Sequence, residues 1–229
     1  MVFPEAARGA FENNAARRPP FDPELPSSLS PASIEPLTGS IVLEGCRIQG
    51  ILCPNAALGE SEVAGCVFSE CSFAHAELSN SLFTDTVFED CDLSNAILDR
   101  SGFTRCRFTR CKMTGLSFED GMGSDLAYEN CSCAYSSFHR THLKVFSLTR
   151  CDLTEADMSG MELQQGTLSD TRFSATNLFR TSLAGLDFSE CLLESVVLSD
   201  NSEEVQGAKM TLYQAAALAK RLGVIVQEE

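Results

Sequence analysis

Ala76-Glu77-Leu78-Ser79-Asn80-Ser81-Leu82-Phe83-Thr84-Asp85-Thr86-Val87-Phe88-Glu89-Asp90-Cys91-Asp92-Leu93-Ser94-Asn95 is the stretch that decides the fold. Its apolar centres, Leu78, Phe83, Phe88 and Leu93, stand five residues apart. The frame runs back without a slip through Val63, Leu58, Cys53 and Ile48 to Leu43, and forward to Leu193 and Leu198. Residues 41–200 therefore hold 32 pentads, and 24 of the centres are Leu or Phe. Only Gly123 lacks a side chain at a centre. Neither a helix nor a strand has a period of five, so the repeat takes precedence over every other signal.

The position two before each centre is Ala, Cys, Ser, Thr or Gly in 24 pentads. Alternate residues of an extended segment share a face, so a small and a large residue point inward in each pentad. The other three point out. The last of them is often Gly, Asn or Asp, as at Gly65, Asn80, Asn95 and Gly115, which suits a corner with positive φ. Every fourth small position matches. From Ile51 the series continues Cys71, Cys91, Cys111, Cys131, Cys151, Thr171, Cys191; from Ile41 it is mostly hydroxyl, and from Ala56 mostly alanine. The 20-residue period predicts four pentads per coil, hence eight four-sided coils. At about 4.8 Å per coil the rod would be roughly 38 Å long.

The pattern resembles the pentapeptide repeat family, with consensus A(D/N)LXX. Ala76-Glu77-Leu78-Ser79-Asn80, Cys91-Asp92-Leu93-Ser94-Asn95, Cys151-Asp152-Leu153-Thr154-Glu155 and Ala156-Asp157-Met158-Ser159-Gly160 lie close to it. The resemblance implies an all-β solenoid, a right-handed quadrilateral β-helix; handedness comes from the family alone. The chain then divides into a Pro-rich N-terminal arm (1–40), the β-helix (41–200) and a C-terminal capping or dimerisation segment (201–229).

With 32 acids against 17 bases the net charge is −15, which argues against binding nucleic acid or an anionic membrane surface. No apolar run reaches the roughly 18 residues of a spanning helix, and residues 1–30 hold no apolar signal core. A cytoplasmic protein is expected. Seven of the eight prolines lie before residue 41. A short helix over Glu5–Ala16 fits there. The remainder reads as an extended tether or cap, or as a recognition arm anchored by Phe3, Phe11 and Phe21.

All eleven cysteines occupy inward positions. Buried free thiols behave as small hydrophobes, and their use fits a reducing compartment. Cys131 and Cys133 point in, whereas His139 and His142 point out, so these four do not form a tetrahedral zinc site. Glu89-Asp90 and Glu119-Asp120 sit at corners, where nothing tunes a carboxylate toward acid–base work. The sequence thus supplies no catalytic set, metal site or cofactor motif, and a non-enzymatic protein is expected.

Around Gly123 the small positions carry Leu116, Leu126, Phe146 and Met161. Either these refill the vacated volume, or the rod is kinked with Met122, Tyr135 and Val145 exposed for contact. Outward acids within 41–200 are spread over all four sides, and one of the two most acidic carries Glu60, Glu77, Asp99, Glu119, Asp120, Asp157 and Asp200. That density permits DNA mimicry and equally suits a soluble acidic surface.

After Leu198 the repeat stops, and Asn201–Met210 reads as a linker. Thr211-Leu212-Tyr213-Gln214 is a capping box, a helix follows to Leu222, Gly223 ends it, and Val224-Ile225-Val226 is a strand signal. The run resembles the C-terminal segment of the quinolone-resistance pentapeptide repeat proteins. That resemblance implies a tail-to-tail homodimer through Leu212, Tyr213, Ala216, Leu218 and Leu222. It also implies a DNA-mimicking rod that binds type II topoisomerase, such as DNA gyrase, and protects it from quinolone-like inhibitors. This chain departs from several such proteins in having no loop between pentads and in its proline-rich arm. The alternative is a protein–protein interaction scaffold with no topoisomerase role.

Overall fold

The computed structural model describes Pro20, residues 22–31 and residues 39–227. The proposed helix over Glu5–Ala16 and the anchors Phe3, Phe11 and Phe21 lie outside these residues. Residues 41–200 wind as eight four-sided coils stacked in parallel register, each residue over the one 20 positions on, as in Phe83↔Phe103 and Leu143↔Leu163. We number the coils one to eight from residue 41, and the sides one to four in pentad order.

Two kinds of side alternate in pairs. Sides one and two are extended and, with the arm strand Ser30–Pro31, form an 11-stranded parallel sheet. In coils four to seven the strand runs straight through their shared corner, as in Gly102–Thr109, Met122–Glu129, His142–Thr149 and Glu162–Ser169. Sides three and four instead touch the next coil mostly through single bridges such as Ser72↔Asp92 and Ile97↔Ser117, except that Arg172–Ser174 and Leu192–Glu194 on side three pair as a two-stranded sheet. Their corners are closed by turn hydrogen bonds such as Ala76 N–H to Phe73 C=O, 2.9 Å. Nearly every pentad ends at positive φ, including Arg100, Arg110, Arg140, Tyr135 and Ala175. The coil therefore imposes the left-handed conformation on residues that do not favour it. Val145, Gln165, Glu190 and Asp200 escape it.

Inside, the columns bond vertically. The N–H groups of Ile41, Ser61 and Ser81 each donate to the hydroxyl of the serine one coil on, at 3.0 Å. Ser101 Oγ donates to Leu78 C=O at 3.0 Å and Thr176 Oγ1 to Leu153 C=O at 2.8 Å. The thiols of Cys91, Cys111 and Cys131 face the carbonyls of Phe68, Phe88 and Phe108 at 3.4–3.5 Å in the same manner. All eleven cysteines are free, and ten are buried. Cys46, in coil one, is only half-buried, and among the described residues it is the two-residue strand Ser30–Pro31 that pairs beside it. Burial raises the Cys133 thiol well above its ordinary range and pushes Cys106 up to about 12. The large column on side two stacks Phe68, Phe88, Phe108 and Tyr128 with ring centroids 4.9–5.1 Å apart.

The irregular coils are volume compensation. A Cβ on Gly123 would lie 2.6 Å from Leu126 Cδ1, so Leu126 occupies the vacancy. Phe146 needs the same concession from Gly166, where a Cβ would meet its ring at 2.3 Å. Leu116, Leu126, Phe146 and Met161 are all buried. The contact-residue alternative fails at Val145, which is 2% exposed, while Tyr135 does stand out at 60%.

The C-terminal end is covered. Segment 201–210 is not a free linker: after a two-residue slip it hydrogen-bonds to coil eight through Leu183 N–H to Glu204 C=O and Phe188 N–H to Lys209 C=O. It adds part of a ninth turn, with Val205, Ala208 and Met210 packed on the core. Helix Leu212–Arg221 carries the full capping box between Thr211 and Gln214. It ends in a Schellman arrangement, Val224 N–H to Ala219 C=O and Gly223 N–H to Lys220 C=O. Val224-Ile225-Val226 does not form a strand, since no neighbouring strand lies beside it.

Candidate functional site

Two sets of surface carboxylates stand out. The first is neutralised by bases one coil away. Arg105 grips Asp85 with two bonds of 2.6 Å, Arg110 bridges Glu89 and Asp90 at 2.7 Å, Arg140 meets Asp120 at 3.1 Å and Lys112 meets Asp92 at 3.5 Å. Hydrogen bonds from the adjacent guanidinium hold the Asp85 and Asp90 carboxyls below the usual range. Asp85 and Asp125 also lie deep in the corner between sides one and two, with Asp125 only 7% exposed. The outward count from sequence included both as solvated acids. The corner tucks them in, so side one is less acidic than its composition.

The second set lies on side four. The sequence-predicted residues Glu60, Glu77, Asp99, Glu119, Asp120, Asp157 and Asp200 all fall on this one side. Among the described residues only Asp120 of these seven forms an ion pair. Four of the others are oriented by neutral donors. Glu77 accepts Ser79 N–H at 2.6 Å; Asp99 accepts the Ser117 hydroxyl at 2.6 Å and Glu119 N–H at 3.0 Å. Glu119 accepts the Ser137 hydroxyl at 2.7 Å, and Asp157 accepts Ser159 N–H at 2.9 Å and the Asn177 amide at 3.0 Å. Neutral donors fix a carboxylate without cancelling its charge.

The seven are not one continuous strip. Glu77, Asp99 and Glu119 occupy successive coils two to four, with Asp157 two coils further on. Glu60 and Asp200 stand at opposite ends, seven coil spacings or roughly 34 Å apart. The corner column interposes Arg100, bonded to Asn80, as well as Arg140. Such a surface presents fixed negative charge to solvent. It lacks the buried, mutually positioned groups that bond-making chemistry needs. Among the described residues no three metal-ligating side chains converge, and no helix is long and apolar enough to cross a membrane.

The C-terminal residues divide. Leu218 packs on the core of its own rod and Ala216 is half-buried. Leu212, Tyr213 and Leu222 face solvent at 82%, 87% and 52% exposure, joined by Ile225 at 88%. Sequence reasoning missed what ties the helix down. Gln214 Nε2 donates to the carbonyls of Phe188 and Cys191, at 2.9 and 2.8 Å, and Arg221 donates to those of Val196 and Leu198, at 2.7 and 2.8 Å. Two polar side chains aimed at the open end of a coil were the available signal.

Residues 22–31 of the N-terminal arm, read from sequence as a tether or a cap, lie on the rod and reach beyond its first coil. Ser30 N–H donates to Gly45 C=O at 2.9 Å, Pro26 lies over Gly45 and Gly65, Glu24 N–H donates to Asp85 at 2.8 Å, and Asp22 pairs with Arg107.

Comparison with known proteins bears on the repeat. A model of the pentapeptide repeat region matches residues 81–158, and one of pentapeptide repeats in eight copies matches residues 55–90. Comparison with curated proteins gives no match. Among solved structures, a trypsin-treated variant of QnrB1, described as a plasmid-mediated fluoroquinolone resistance protein, superposes with a TM-score of 0.58. It is 21% identical, over 82% of this chain and 100% of that one. A second trypsin-treated QnrB1 variant gives 0.52 at 22% identity, over 84% and 100%. Likeness at this identity speaks for the fold. The matched repeats, the unbroken register on either side of them and the shared solenoid make this chain a pentapeptide repeat protein.

Proposed function

We propose that the rod binds a bacterial type II topoisomerase in place of DNA and thereby protects the enzyme from quinolone-like inhibitors. The observation that carries this reading is the set of side-four carboxylates held by neutral donors and, among the described residues, left without counter-ions. A DNA-binding saddle is built to receive such a distribution of negative charge. The likeness of residues 211–226 to the quinolone-resistance proteins supports it, as does a fold shared with a fluoroquinolone resistance protein. Two rods joined tail to tail through Leu212, Tyr213 and Leu222 would span roughly 75 Å, or about 22 base pairs at 3.4 Å each. Attraction between exposed charges is screened by salt, so binding weakens steeply as ionic strength rises.

Gyrase supercoiling, assayed at low salt with and without a quinolone, tests the proposal. Added protein should restore supercoiling in the presence of the drug. If it neither inhibits nor protects gyrase or topoisomerase IV, the chain is an interaction scaffold without a topoisomerase role.

A further inference from the structure

The exchange of volume in the irregular coils does not account for Tyr135. It stands at the corner between sides three and four of coil five, 60% exposed, with φ at 60°. A bulky residue enters the left-handed region only with strain. This corner otherwise holds polar or small residues, among them Asn55, Asn95 and Gly115. Among the described residues its ring joins none of the stacks that hold Tyr128 in the core, and its hydroxyl has no hydrogen-bond partner. One coil below, a Cβ on Gly115 would lie 2.5 Å from Asn95 Oδ1, so an amide fills that corner and offers the ring no apolar bed. Neither packing nor hydrogen bonding within the chain calls for a phenol here.

The ring stands at the edge of the fixed carboxylates of side four. Ser137, two residues on, holds Glu119 at 2.7 Å, and Ser117, one coil below, holds Asp99 at 2.6 Å. A single hydroxyl leaves a carboxylate with acceptor sites to spare. Ile97 adds an apolar side chain, 41% exposed, on the same side. An aromatic face next to an oriented carboxylate suits a guanidinium, which is planar and can both stack and fork; a lysine ammonium cannot fork.

We propose that Tyr135 is a specificity-determining contact of side four: its ring stacks on the guanidinium of an arginine of the protein partner, while Glu119 accepts from the N–H donors of that group. The carboxylates attract any basic surface, and the ring favours arginine over lysine. That the partner is a topoisomerase rests on the proposed function; the preference for arginine does not.

Three full-length chains test this: wild type, Tyr135→Asn and Glu119→Gln. Asparagine accepts the left-handed corner, so Tyr135→Asn should melt no lower than wild type. The first probe needs no topoisomerase. Arginine and lysine peptides of equal length are titrated at low salt into protein with isotope-labelled tyrosine rings. The arginine peptide should shift the Tyr135 ring signals and leave those of buried Tyr128 in place. The lysine peptide should shift Tyr135 far less, and Glu119→Gln should diminish the response to arginine. A Tyr135 ring that does not respond, or that responds equally to both peptides, overturns the proposal. The second probe is gyrase. Tyr135→Asn should bind it at least about fivefold more weakly at each ionic strength, with an unchanged salt dependence because no charge is lost. Equal gyrase affinity in wild type and Tyr135→Asn overturns the contact and leaves the topoisomerase reading standing. If wild type binds no gyrase while its ring still distinguishes arginine from lysine, the topoisomerase reading fails and the arginine contact survives.

Discussion

Gly166 shows how tightly single residues are bound to their neighbours one coil away. Its missing Cβ is what admits the Phe146 ring, and a Cβ there would also lie 2.7 Å from Leu186 Cδ2. Gly166→Ala should destabilise the rod by about 1–3 kcal/mol. Adding Phe146→Leu should recover part of that loss, so the two changes are not additive; denaturant melts of the single and double variants measure it. Leu153, 2% exposed, sits in the stack, and Leu153→Asp should cost more than about 4 kcal/mol because it leaves a charge unpaired in the core. Thiol labelling of the native protein should modify Cys46 first and the ten buried thiols only after denaturant is added. The alternation of small and large inward residues was readable from the five-residue frame. The exchange of volume between Phe146 and Gly166 was not, because a glycine counts as an ordinary small residue until the coil above is known to hold a phenylalanine.

At the scale of elements, the helix was legible because its capping box is local in sequence. What covers which end was not, since contacts of Gln214 and Arg221 with coil-eight carbonyls depend on how the chain slips after Leu198. This division sets a test of the proposed dimer. Tyr213→Glu, on the exposed face, should leave the fold intact and give monomers by light scattering. Leu218→Glu should instead loosen the cap of its own rod and lower the melting temperature. If Tyr213→Glu has no effect on the mass of a dimeric wild type, the interface lies elsewhere. The arm has its own pH dependence. The Arg105 guanidinium, opposed by desolvation and aided by Glu24 N–H, lowers the Asp85 pKa in the folded chain. The stability this contributes is complete above the unfolded value of about 3.9 and is lost as pH falls through the depressed folded value. Amide shifts of Glu24, followed from about pH 6 to about pH 2.5, should stay constant until the lower part of that range.

For the whole molecule, the acidic excess was plain in the composition, and its distribution was not. Asp85 with Arg105, Asp90 with Arg110, Asp92 with Lys112 and Asp120 with Arg140 are each separated by 20 residues, so the period that defines the coil also pairs these charges. That signal was present in the sequence. The burial of Asp125 and the neutral donors around Asp99 and Glu119 were not, because they depend on the shape of each corner. What distinguishes side four is the number of its carboxylates that this vertical pairing leaves free.

The most direct test of that claim is the affinity of purified gyrase for wild-type protein and for Glu60→Lys/Glu119→Lys/Asp200→Lys, measured across a salt series. Glu70→Lys on side two and Glu155→Lys on side three serve as controls. The side-four triple variant should keep its circular dichroism and melting temperature, bind at least about tenfold more weakly, a loss of about 1.4 kcal/mol, and show a shallower salt dependence. The controls should bind nearly as wild type. Unchanged affinity in the triple variant, or an equal loss in every variant, would contradict recognition through side four.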